Sequence, residues 1–133
     1  MTDLEYLQSR IVDYADYANR AARHQVDQQI RAWLGEALTD ARERLAPDGA
    51  LGEQIDGLLL RCEFSDQRVV RVADHARFDQ ELVDRVHRLD CEIVETADRI
   101  RAAASVEELA TALDDAARLL DQRFGAIADA PTS

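Results

Sequence analysis

There is no lysine in this chain: all 16 basic residues are arginine. Glycine and proline are also scarce, at 5 and 2 residues, which removes the turn punctuation that short strands require and reads as helix. The two cysteines, Cys62 and Cys91, are far apart and match no metal or redox spacing. They read as small buried thiols in a cytoplasmic protein. No apolar run approaches the roughly 18 residues needed to cross a bilayer, so no membrane insertion is expected. The opening MTDLEYLQSR is charged and lacks the apolar core of a signal peptide. Positive charge is in deficit too. With 27 Asp and Glu the formal net charge is −11, which keeps the chain soluble and repels phosphate backbones, excluding broad nucleic-acid binding.

What is present fits one helical domain. A length of 133 residues is enough for a core without disulfide staples, and 47% hydrophobic with 32% charged residues is the balance of a globular or coiled-coil protein. Thr2 and Glu5 form a capping box that opens a first helix. Apolar residues then recur from Leu4 through Leu7, Ile11, Ala15, Ala18, Ala22, Val26 and Ile30 to Leu45. The mean step of about 3.7 residues predicts one straight helix over 3–45. The APDG at 46–49 stops it, and Gly35 is its one weak point.

From Leu51 the spacing turns heptad, through Ile55, Leu58, Cys62, Val69, Val72, Ala76, Val83, Val86, Ile93, Ala97 and Ile100. Helices are predicted over 50–64 and 66–103, with a bend near Phe64 and Ser65-Asp66 as a cap. Ser105 and Glu108 form a second capping box, opening a helix over 106–128, and 130–133 is a frayed tail. The predicted architecture is all-α and elongated. It is an antiparallel bundle or long hairpin over 1–129, coiled-coil-like, with a shorter C-terminal helix packed back. Its heptad seam is longer than the last helix can cover, so a homodimer is expected.

Three polar residues, Arg68, His75 and Asp79, fall on the apolar stripe of Val72, Val83 and Val86. Seven residues turn a helix through about 700°, which leaves Arg68 and His75 about 20° apart. Asp90 falls near the centre of the same sector. An ionised aspartate buried alone is very costly, so it must meet a cation or donor across the bundle. The reading adopted is a polar layer that fixes helix register and oligomeric state. Arg68 and His75 also form a pair that resembles the R-x4-6-H motif of HEPN-type ribonucleases, small all-α proteins. That resemblance implies His75 as general acid or base and Arg68 as the group stabilising a phosphorane. Val69 stands where that motif often has a polar residue.

Asp84, His87 and Cys91 share a flank and are candidate metal ligands, although di-iron bundles use Glu-x-x-His pairs on facing helices. Glu92, Glu95 and Asp98 are similar to the acidic helices of all-α nucleotide pyrophosphohydrolases, but point mostly to solvent. Tyr6, Tyr14, Tyr17 and His24 line one edge of the first helix, as half-buried packing residues with wet hydroxyls or as a partner or dimer edge. The expectation is a non-enzymatic helical interaction protein, a dimeric scaffold, adaptor or chaperone-like module that needs no cofactor. The alternative is a small helical-bundle enzyme of phosphate chemistry, HEPN-like, using Arg68 and His75.

Overall fold

The computed structural model describes residues 1–63 and 73–132. Its regular elements are helices: α1 (Asp3–Arg10), α2 (Arg20–Leu45), α3 (Gly49–Glu63), α4 (Gln80–Ala102) and α5 (Val106–Ala128). Among the described residues there is no strand, only an isolated bridge between Ala76 and Thr132. No helix among them is long and apolar enough to cross a membrane.

Helix starts follow the local chemistry. Thr2, Asn19, Asp79 and Ser105 each accept a backbone N–H three residues on, at 3.1, 2.9, 2.9 and 3.2 Å. Such contacts satisfy donors that the first helical turn leaves open. Thr2 and Ser105, which open the two predicted capping boxes, are in these positions. Asn19 and Asp79 cap helices that the periodicity had not separated.

The chain reverses at two tight connections. Between α2 and α3, Ala46 and Gly49 take left-handed φ values of 43° and 59°, and Arg42 pairs with Asp56 at 3.1 Å. Gly35, a weak point by helix propensity, lets α3 approach: a Cβ there would lie 3.3 Å from the Cβ of Cys62. Between α4 and α5 only three residues intervene, and Arg99 pairs with Asp115 at 2.6 Å across the turn.

α4 is the central element, packed against α5, α2 and α1. Its buried positions include Val86, Ile93, Ala97 and Ile100, the predicted seam, and also Leu89, Cys91 and Val94 behind it. A helix buried on more than one stripe lies inside a bundle rather than on its edge. Among the described residues, the α4 part of the seam is therefore filled by helices of the same chain.

Two predicted helices are shorter than their periodicity suggested. The helix over 3–45 is interrupted from Ile11 to Asn19, where Asp13 has φ of 62°. The alanines that carried the pattern there are weak markers: Ala18 is exposed, while Ile11, Tyr14 and Tyr17 are buried. Gln29 and Gln25 donate to the freed carbonyl of Asp13 at 2.8 and 3.4 Å, which offsets part of the lost helical bonding. The helix over 66–103 is not continuous: residues 73–75 are helical, 76–79 are not, and α4 begins at Gln80 with Asp79 as its cap. Ser65, Asp66, Val69 and Val72, with the bend near Phe64, lie outside the described residues. The tail is held rather than frayed: Arg77 N–H donates to the Pro131 carbonyl at 2.7 Å, and Ala130 packs on the core.

Candidate functional site

Asp90 sits mid-way along α4 with 0% of its surface exposed. One carboxylate oxygen, Oδ2, accepts the hydroxyls of Tyr14 at 2.7 Å and Tyr17 at 2.5 Å. The other, Oδ1, accepts Nε–H of Arg123 from α5 at 2.8 Å. Arg123 continues the network, donating through Nη2 to the Tyr17 hydroxyl at 3.1 Å and through Nη1 to Asp27 of α2 at 2.8 Å. The remaining oxygen of Asp27 takes Nε–H of Arg31, one turn on, at 2.9 Å. All six side chains are buried. Two carboxylates and two guanidiniums cancel, the arrangement that makes buried charge tolerable.

The interrupted segment 11–19 brings the tyrosines to Asp90. Burial first, then the adjacent Asp90, pushes both hydroxyls far above the usual phenol range, so they stay protonated and donate. Burial opposes the charge on Arg123, but Tyr17, Asp90 and Asp27 outweigh it and hold the guanidinium firmly protonated. The demand that Asp90 meet a cation or donor across the bundle is thus met by both.

His87, also buried, lies beside this centre. Its Nε2 is 2.8 Å from Asp16 Oδ1, the same oxygen that accepts the Tyr17 backbone N–H at 2.7 Å. The imidazole centroid is 5.6 Å from that of Tyr17 and 6.4 Å from that of Tyr14. The other two members of the candidate metal flank have partners of their own: Asp84 accepts from Gln80 at 2.7 Å, and the Cys91 thiol donates to the Asp3 carbonyl at 3.5 Å. Burial pushes the Cys91 thiol up to about 12. Among the described residues no group of three His, Cys, Asp or Glu side chains could hold a metal ion.

The remaining sequence candidates separate. Arg68 lies outside the described residues. His75 and Asp79 are exposed, not part of a buried layer: the helical register breaks over 76–79, between His75 and α4. Asp79 acts as a cap, so Asp79→Ala is expected to cost about 1 kcal/mol, well below the roughly 3–5 kcal/mol of a broken buried pair. A thermal melt of the variant measures the difference. Tyr14 and Tyr17 turn inward, away from any shared edge with Tyr6 and His24. Tyr6 accepts from Arg10 at 3.0 Å, and Arg10 clamps Asp98 with bonds of 2.9 and 2.7 Å that tie α1 to α4. His24 pairs with Asp74 at 2.8 Å.

Sequence reasoning passed over Asp27, Arg31 and Arg123, although a signal was available. Arg123 follows Ala116 and Leu119 at helical spacing and precedes Ala126 and Ile127, all buried. It therefore interrupts an apolar stripe just as Asp90 does. No protein-family model, curated protein or solved structure matches the chain.

Proposed function

We propose that this chain is a non-enzymatic helical interaction protein, a scaffold, adaptor or chaperone-like module that works through its outer helical faces and pairs with a second copy of itself. The observation carrying this reading is that the core charges are saturated. Both oxygens of Asp27 and both oxygens of Asp90 are bonded to side chains of the same chain. A general base needs a lone pair within reach of a substrate proton, and these carboxylates are sealed and occupied. Their physical role is to fix which helices pack together and in what register. The function then falls to the surface, where Leu60 of α3 and Val106 of α5 are 56% and 45% exposed.

In this reading the helices form an antiparallel, coiled-coil-like bundle, and Leu60 sits at the centre of a twofold contact. Flanking pairs such as Arg61–Asp121 and Arg42–Asp56 supply both signs of charge, as a self-complementary patch requires. The free buried thiols, Cys62 and Cys91, suit a reducing cytoplasm. Sedimentation equilibrium tests the pairing. Wild type at tens of micromolar is expected at dimer mass, and Leu60→Asp at monomer mass with an unchanged helical circular-dichroism spectrum. A monomeric wild type overturns the self-association. An RNA-cleaving activity abolished by His75→Ala without loss of melting temperature overturns the non-enzymatic reading.

A further inference from the structure

Where the start of α1, the interrupted segment 11–19 and the first turns of α4 meet, there is a cleft of about 540 Å³. That lies within the roughly 300–1,000 Å³ of small-molecule sites. Its lining carries charges of both signs, and among the described residues Arg23 and Asp84 have no ion-pair partner. Arg23 of α2 enters with its guanidinium 4.3 Å from the centre of the Phe78 ring. It donates to the Ala73 carbonyl at 3.2 Å, but its Nε–H is buried with no hydrogen-bond partner among the described residues. Among the described residues no carboxylate is within ion-pairing distance of it. Burial, then the neighbouring Arg20, weakens its hold on its proton, and the charge of Asp74 opposes this only in part.

Asp84 of α4 presents the opposite deficit. One of its oxygens accepts from the neutral Gln80, and among the described residues no cation pairs with it. Asp3 of α1 lines the same cleft and has only a loose contact, 3.7 Å, with Arg88. Asp16 lines it too but is bonded to the buried His87. Leu4, Val83 and Phe78 supply apolar wall.

We propose that this cleft binds a small zwitterion of the α-amino acid class, with its carboxylate on Arg23, its ammonium on Asp84 and Asp3, and its side chain against Leu4, Val83 and Phe78. The choice follows from charge. A phosphate or other polyanion meets three carboxylates in the lining, and a simple amine meets the unpaired guanidinium. Only a ligand carrying both charges complements Arg23 and Asp84 together.

Isothermal titration calorimetry on the full chain, near neutral pH, tests the assignment with L-leucine. The controls are 4-methylpentanoate, which lacks the ammonium, and isoamylamine, which lacks the carboxylate. Saturable binding of L-leucine is expected, with each control weaker by about tenfold or more. Arg23→Gln and Asp84→Asn are each expected to weaken L-leucine by a similar factor. Asp84 is exposed, so its variant keeps the test valid if Arg23→Gln folds poorly. The proposal is overturned if L-leucine gives no saturable heat at several millimolar, if either control matches it, or if Asp84→Asn binds as wild type does.

Discussion

Asp90→Ala is expected to lower the unfolding free energy by about 3–5 kcal/mol, although it deletes only one small side chain. The loss comes from what remains. Arg123 keeps a single carboxylate partner, Asp27, which it already shares with Arg31, so a net positive charge is left buried. The hydroxyls of Tyr14 and Tyr17 lose their common acceptor, and an unsatisfied buried donor costs about 1–3 kcal/mol. Urea unfolding followed by circular dichroism measures the change; a loss below about 1 kcal/mol would mean that water reaches the cluster and shares its charge. Replacing all six polar side chains together with apolar ones of matched volume is a different experiment. Apolar replacement of buried ion networks is often neutral or stabilising, and the expected cost is in specificity of helix register.

Arg123→Leu is expected to be as damaging near neutral pH, again about 3–5 kcal/mol, and to make the variant more stable on mild acidification. The variant leaves Asp27 and Asp90 buried without the guanidinium that bridges them. Burial and like charge both raise a carboxylate's pKa. The folded variant would then bind protons more tightly than its unfolded chain. A raised folded pKa contributes stability that is present at low pH and is lost as pH rises through that value. The variant should therefore gain stability on acidification from neutral pH towards about pH 5, short of general acid denaturation. Melting temperatures over that range decide it, and a variant that weakens steadily with acid would show that Arg123 is not the principal counter-charge.

Much of the fold was legible from spacing and caps. The boundaries of α3 and α5, the reversal at Pro47-Asp48-Gly49 and the inward face of Ile93, Ala97 and Ile100 follow from local rules. The interruption at 11–19 did not, because Ala15 and Ala18 satisfy a helical period without demanding burial. What stabilises the break is tertiary: Tyr14 and Tyr17 reaching Asp90, and Gln29 reaching the carbonyl of Asp13. The polar Asp13, Asp16 and Asn19 were the available hint, since such residues compete with helix through local bonds, and Asp16 does bond the next backbone N–H. For the site, Asp90 was recognisable as a buried charge needing a partner. Arg123 was not selected because periodicity says that a residue faces inward, never which inward-facing residue it meets. Asp79 shows the converse error, a residue given a core position by extending a helix through its own cap.

The ion cluster joins positions remote along the chain: Asp27 and Arg123 are 96 residues apart, and Tyr17 and Arg123 are 106 apart. Contacts of such long range form late, after the entropic cost of closing the loop has been met. During synthesis this imposes an order. A chain made only as far as α4 holds Asp90 and both tyrosines but has no Arg123, so its central helix carries an acid it cannot bury. The expected order is that the core closes only once α5 has emerged, with α4 left solvated until its counter-charge is available. A polar cluster that holds helices together would then also set the timing of the nascent chain's collapse.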